Sequence, residues 1–277
     1  MASLRERHKT FRQLHEAGCF VIPNPWDMGS ARMMAALGAR ALATTSAGFA
    51  FTLGRPDLGG VTRDEALAHA ECIVSATPLP VSGDFENGFA DDPDGVAEAV
   101  RLAREVGLSG CSIEDTCMTE GNPAYDFGSA VDRIRAAADA ARSLPDPFVL
   151  CARADGLLHG SYDLDEAVRR IQAFEKAGAD LLYIPLLPDA EALERVARAV
   201  SKPVNALAAG AVSQMSLSRI AHAGIRRVSV GSMVARLTHA VIRDAMRSML
   251  EEGSFAIFSG AARGAEIDRL LLEGGES

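Results

Sequence analysis

Phe174-Glu175-Lys176-Ala177-Gly178-Ala179-Asp180-Leu181-Leu182-Tyr183-Ile184-Pro185 reads as the end of a helix, a turn and a short strand. Glycine just past a helix end takes the left-handed conformation that closes the helix without a Cβ clash. The apolar run behind it suits a strand buried on both faces. The same pattern recurs at Gly18 (EAG-CFVIP), Gly38 (ALG-ARALATT), Gly107 (EVG-LSGCSIE) and Gly224 (HAG-IRRVSV). Leu79 to Asp84, Pro147 to Ala152 and Pro203 to Leu207 read as three more strands without that glycine. Helical patterns separate the strands, as in Asp94 to Glu105, Asp163 to Lys176 and Ala190 to Ala199. Eight β–α units in one chain of 277 residues predict a closed (β/α)8 TIM barrel. An open, doubly wound sheet of six or seven strands is the alternative.

The chain is read as one domain, 1–277, with 232–277 as extra C-terminal helices: Ser232 to Glu251 and Phe255 to Leu272. The apolar positions of the second stretch need a partner, either their own barrel or a neighbouring subunit. A formal charge of −9 argues against nucleic-acid and anionic-membrane partners, which need a basic face. Five scattered cysteines without a C-x-x-C pair argue against a disulfide framework or a zinc site. Met1 to Gly18 carries no apolar signal segment, so a cytoplasmic location is expected.

In such a barrel the chemistry sits at the carboxyl ends of the strands. Those ends here are Asn24-Pro25-Trp26-Asp27, Thr44-Thr45-Ser46-Ala47, Asp84-Phe85-Glu86-Asn87-Gly88, Glu114-Asp115, Arg153-Ala154-Asp155 and, on the seventh strand, Asn205. Carboxylates crowded at one rim repel unless a cation neutralises them. Asp84, Glu86 and Glu114, with Asp57 of the Gly54-Arg55-Pro56-Asp57 loop, form an all-oxygen set. Such a set selects a hard ion that keeps several waters, Mg2+ first and Mn2+ as a substitute. Asp115 and Asp155 read instead as helix caps or arginine partners.

These segments carry a resemblance. Asp84-Phe85-Glu86-Asn87-Gly88-Phe89 resembles the D-A-D-T-G-[YW] metal segment of the isocitrate lyase/phosphoenolpyruvate mutase superfamily. Ser112-Ile113-Glu114-Asp115 resembles its [IL]-E-D strand end, and Ala152-Arg153-Ala154-Asp155 its A-R-[TV]-[DE]. Leu53-Gly54-Arg55-Pro56-Asp57 is similar to its L-G-x-x-D loop, and Thr45-Ser46-Ala47 stands where the family has S-G-[GL]. The match runs in order from about Leu14 to Met249.

The resemblance implies Asp84, Glu86, Glu114 and Asp57 around Mg2+, and Arg153 on the substrate carboxylate. It also implies an oxyanion site at Thr45, Ser46 and Ala47, and a homo-oligomer (tetramer or dimer) with exchanged C-terminal helices. Trp26, Asp84 and Asn205 are further expected substrate contacts. Two departures stand out. D-x-D here is D-x-E, and the lyases' K-[KR]-C-G-H loop is replaced by Thr116-Cys117-Met118-Thr119-Glu120-Gly121-Asn122-Pro123. Cys117 lies too soon after Glu114 for that motif and has no basic flank to activate it. Asn122 falls where the mutase and phosphonopyruvate hydrolase branches hold a gating-loop Asn. Thr116 to Phe127 is read as a water-excluding lid.

The expected activity is a Mg2+-dependent lyase or decarboxylase on a small 2-oxo or 2-hydroxy dicarboxylate (oxaloacetate or substituted malate), through an enolate held at the metal. Thr45, Ser46, Arg153 and Asn122 would be its catalytic residues. A phosphonomutase or phosphonopyruvate hydrolase is the runner-up, and a non-catalytic 2-oxo-acid-binding barrel is third. His159, in the loop after the fifth strand, is read as a surface residue.

Overall fold

The computed structural model describes residues 3–121 and 123–276, so Asn122 lies outside the described residues. Strands β1 (Phe20–Ile22), β2 (Leu42–Ala43), β3 (Val81–Asp84), β4 (Gly110–Glu114), β5 (Val149–Arg153), β6 (Leu181–Tyr183), β7 (Val204–Leu207) and β8 (Arg227–Ser229) form one parallel sheet in the order β1-β8-β7-β6-β5-β4-β3-β2. The fold is a (β/α)8 barrel. Its remaining seam, between β1 and β2, is drawn together at the rim: Ala43 N–H donates to Pro23 O at 3.0 Å. The Asn24 amide spans the same seam, donating to Thr44 O at 3.0 Å and accepting from the N–H groups of Val230 and Gly231, each at 2.9 Å.

The helices are α1 (Leu4–Leu14), α2 (Met28–Ala36), α3 (Ser46–Thr52), α4 (Arg63–Ala76), α5 (Pro93–Glu105), α6 (Phe127–Ser143), α7 (Leu164–Ala177), α8 (Ala190–Arg198), α9 (Leu217–His222), α10 (Met233–Leu250) and α11 (Gly264–Glu273). Their starts follow the capping rule: Ser3, Asp27, Thr45, Thr62, Asp92, Asp126, Asp163, Asp189 and Ser216 each accept an N–H of the following turn. Gly178 ends α7 at φ 110°, as the recurring sequence pattern requires.

Alternation along each short strand sorts the core into two layers. Val81, Cys111, Ile113, Leu150, Ala152, Leu182, Val204 and Val228 pack outward under the helices. Phe20, Ile22, Ala43, Val149, Cys151, Leu181 and Tyr183 fill the barrel, and α1 plugs its lower end with Phe11 and Leu14. Burying a side chain such as Phe11 is worth roughly 1.5–3 kcal/mol, so the plug itself favours closure. The register sets Glu114 beside Arg153 and Asp84 beside Ser112, which brings the charged strand ends together at one rim.

The C-terminal segment departs from expectation. Phe255 to Leu272 is not one helix: a 3-10 turn (Ala256–Gly260) precedes α11. Gly260 and Gly264 weaken helix propagation there, and side chains lend little support, since Phe255 and Phe258 stay exposed. Helix α11 returns to its own barrel, where Leu270 is buried and Gly274 sits so close to Arg32 O that a Cβ would clash. Helix α10 leaves Leu237 (63% exposed) and Val241 (62%) in solvent. Val21, the outward residue of β1, is 41% exposed. No helix among the described residues is long and apolar enough to cross a membrane.

Candidate active site

Asp84, at the end of β3, is the hub of the rim. Its Oδ2 accepts from the N–H and hydroxyl of Ser46 at 3.0 and 2.9 Å. Oδ1 accepts from the Ser112 hydroxyl at 3.2 Å and Arg153 Nη1 at 3.3 Å. Its own N–H donates to the Thr44 hydroxyl at 2.8 Å. Thr45 caps α3 by accepting Gly48 N–H at 3.2 Å, with Ala47 buried in the first turn.

Arg153 lies across the acids, with Nη1 2.7 Å from Glu114 Oε1. Its forked edge is occupied by Asp155, Nε to Oδ1 at 2.6 Å and Nη2 to Oδ2 at 2.8 Å. Asp155 is held in turn: its N–H donates to Asp115 Oδ1 at 2.7 Å. Asp115 Oδ2 also accepts from Tyr162 Oη at 2.8 Å and Arg170 Nη1 at 2.9 Å. Asp115 and Asp155 are therefore struts behind Arg153, in line with their sequence reading.

Burial and mutual repulsion set the charge state of the rim. Glu86 is pushed up to about 7, by burial first and then by Asp84 and Asp57. Asp57, on a solvent-exposed loop, is raised too, by partial desolvation of its carboxylate first, with the Leu58 N–H opposing and Asp84 adding to the effect. Glu114 is driven well above the ordinary carboxylate range by burial, against the pull of Arg153, and its Oε2 is buried with no hydrogen-bond partner. Glu86 and Phe89 adopt φ of 46° and 56°, a left-handed backbone that costs a non-glycine residue on the order of 1 kcal/mol.

These residues suit a hard divalent cation. The donors are all oxygens, Glu114 Oε2 is orphaned, and Arg153 is the only cation within ion-pair distance of Asp84 or Glu114 among the described residues. Among the described residues no three Asp, Glu, His or Cys side chains converge as a ready-made ligand set. An ion that retains much of its water needs few direct protein ligands.

The other expected contacts are placed as follows. Trp26 is half-buried behind α3, its carbonyl accepting from His69 Nε2 at 2.9 Å. Asn205 is buried inside the barrel with both ends of its amide engaged, Nδ2 to Ser229 Oγ at 2.9 Å and Oδ1 from Arg227 Nε at 2.7 Å. It belongs to the floor of the barrel rather than the rim. Cys117 is half-buried in the 116–124 loop. That loop closes as a narrow hairpin: Cys117 N–H donates to Pro123 O and Tyr125 N–H to Asp115 O, both at 2.9 Å.

Two histidines set aside in the sequence reading stand near these acids, and His159, read there as a surface residue, is largely buried. His69 stacks on Phe49 at 3.9 Å and lines a small cavity with Thr45, Ser46, Asp84 and Glu86. His159 Nε2 is buried without a hydrogen-bond partner, 4.0 Å from Asp155 Oδ2. Both sit on helical or loop stretches where spacing gives no hint of direction. A cleft of ≈ 470 Å³ lined by Arg12, His15, Lys202 and Arg226 lies at the other end of the barrel, against α1, away from the strand ends that carry the acids.

Fold and rim together define a class: a TIM barrel whose third, fourth and fifth strands bring acids and one arginine together at one rim. Comparison with known proteins narrows it. The family model described as phosphoenolpyruvate phosphomutase matches residues 11–250. The chain belongs to that family, within the isocitrate lyase/phosphoenolpyruvate mutase superfamily of lyases and mutases. A crystal structure of a lyase-or-mutase candidate from Burkholderia cenocepacia J2315 is similar to it at 45% identity and a TM-score of 0.92, covering 96% of this chain and 95% of the other. Oxaloacetate decarboxylase of Paraburkholderia xenovorans (strain LB400) is 31% identical over 265 residues, 91% of this chain and 84% of that protein. 2,3-Dimethylmalate lyase of Eubacterium barkeri is 32% identical over 183 residues, 64% of this chain and 62% of that protein.

Proposed function

We propose that this protein is a Mg2+-dependent carbon–carbon lyase or decarboxylase acting on a small 2-oxo or 2-hydroxy dicarboxylate of the oxaloacetate or substituted-malate type. The observation that carries the reading is the crowded acid rim, with an orphaned Glu114 oxygen, facing a single arginine. Asp84, Glu86, Glu114 and Asp57 would hold the ion. The chemistry that a divalent cation would supply there is polarisation of a substrate carbonyl and compensation of developing negative charge.

The remaining steps belong to the chain's own groups. Asp155 occupies the forked edge of Arg153, so Nη1, which here rests on Glu114 and Asp84, is the part of the guanidinium that would turn to a substrate carboxylate once a cation takes those acids. Asp155 and, behind it, Asp115 fix that Nη1 in direction. Thr45 and Ser46, with the N–H groups of the first turn of α3, would line the oxyanion side and orient Asp84. The 116–124 hairpin would exclude water, and Asn122 of that stretch is proposed as a catalytic contact from its sequence position alone. Trp26 would back that side of the pocket, and Asn205 would act from beneath, through the packing of the barrel floor.

Transfer of a phosphoryl group asks for more positive charge than this. The lid (116–124) has no Lys or Arg, and β6 exits into Ile184-Pro185-Leu186-Leu187. Both features favour carbon–carbon chemistry over the mutase reading.

We further propose a homo-oligomer in which α10 of one subunit covers Val21 of another. The exposed Leu237 and Val241 and the uncovered outward face of β1 support it.

The activity is tested by following pyruvate release from oxaloacetate with Mg2+, correcting for the metal's own background. The expected result is catalysed release that Asp84→Ala lowers at least about a hundredfold, since losing even a partner that supports a metal ligand costs about 10–100-fold. Full activity in Asp84→Ala after chelation and Mg2+ readdition would contradict the reading.

A further inference from the structure

Arg133, in the second turn of α6, is almost wholly buried, yet among the described residues no carboxylate lies within ion-pair distance of it. Its guanidinium goes to backbone carbonyls instead. Nη1 donates to Glu114 O at 3.2 Å, and Nη2 donates to Asn87 O and to Ala90 O, the latter at 2.8 Å. These carbonyls belong to the two segments that carry Glu86 and Glu114. A buried cation held only by carbonyls is costly unless the geometry is needed. Here it braces the backbone in which Glu86 and Phe89 hold positive φ.

The same guanidinium stacks on Tyr125, 4.0 Å from the ring centroid. Tyr125 is the residue at which the 116–124 hairpin rejoins the barrel. Its hydroxyl donates to Asp91 and accepts from Asn87 Nδ2 at 2.9 Å, and its carbonyl accepts from Arg170 Nη2 at 2.9 Å. One planar cation therefore touches the backbone behind both acids and the root of the hairpin.

We propose that Arg133 is a positioning residue that sets Glu86 and Glu114 for the divalent ion, and that Tyr125 couples this setting to the 116–124 hairpin. The proposal rests on the metal reading above. Lysine, a point charge without a fork, keeps the charge but cannot reach carbonyls of both segments at once.

The test is Mn2+ binding to the full chain, followed by the electron paramagnetic resonance of free Mn2+, for the wild-type protein, Arg133→Lys and Tyr125→Phe. Metal-free melting curves are recorded alongside. Arg133→Lys is expected to weaken Mn2+ at least about tenfold, as loss of a group supporting metal ligands does. Tyr125→Phe is expected to weaken it about threefold, the effect of one lost hydrogen bond, and to abolish Mn2+-dependent protection of the 116–124 amides from hydrogen exchange. A merely structural Arg133 would lower the melting temperature and leave the Mn2+ affinity of the folded protein unchanged. That result overturns the proposal while the metal reading stands. A wild-type chain that takes up no Mn2+ overturns both. Should Arg133→Lys fail to fold, Tyr125→Phe decides: unchanged affinity and unchanged hydrogen-exchange protection overturn the proposal.

Discussion

Glu86 carries a carboxyl whose chemistry departs from its sequence context. A carboxyl held at about 7 rather than its ordinary 4.5 destabilises the folded chain, once ionised, by up to about 3 kcal/mol. Between those two values the folded state binds more protons than the unfolded one. The contribution of Glu86 to the stability of the metal-free protein therefore falls as pH rises from about 4.5 and levels off above about 7, and Glu114, raised as well, adds a slope of the same sign. Melting curves in the presence of a chelator should show that slope, and Glu86→Gln should lessen it; an unchanged slope in Glu86→Gln would contradict the assignment. A divalent ion at the rim should reverse the trend, because uptake then releases a proton and tightens with rising pH. The meeting of Asp84, Glu86, Glu114 and Arg153 at one rim was legible in the sequence because they sit at or just past predicted strand ends, where direction follows from topology. Arg133, Tyr125, His69 and His159 were not. They reach the rim from helix faces and loops, and their partners lie up to 46 positions away, as for Arg133 and Asn87.

Among the elements, the strands were the most legible, because a glycine C-cap followed by an apolar run is a local signal with a local cause. All eight expected strands are present, shorter than the apolar runs that announce them. The C-terminal segment was read less well. The apolar residues between Phe255 and Leu272 suggest one helix, but Gly260 and Gly264 divide it and only its second half packs. Whether an apolar helix face turns to its own barrel or a neighbour's is a tertiary matter that periodicity does not encode. Helix α10 makes the point testable. If its exposed face covers Val21 of another subunit, Leu237→Glu with Val241→Glu places two charges in that contact. Size-exclusion chromatography with light scattering should then shift from an oligomer toward the single-chain 29.2 kDa. An unchanged assembly would place the interface elsewhere.

At the level of the whole molecule, the barrel gathers distant segments into one charged rim, and the rim's electrostatics imply the ion. Asp57, Asp84, Glu86 and Glu114 come from three separate stretches of chain, and Arg153 alone neither neutralises them nor satisfies Glu114 Oε2. Fold and family do not depend on that reading, but the proposed chemistry does. The measurement that tests it most directly is a crystal structure with Mn2+ and oxalate, recorded at a wavelength where manganese scatters anomalously. The account predicts an anomalous peak among Asp84, Glu86, Glu114 and Asp57, with Arg153 Nη1 moved off Glu114 onto an oxalate oxygen. Bound oxalate with no peak at the rim, and Arg153 still on Glu114, would contradict it.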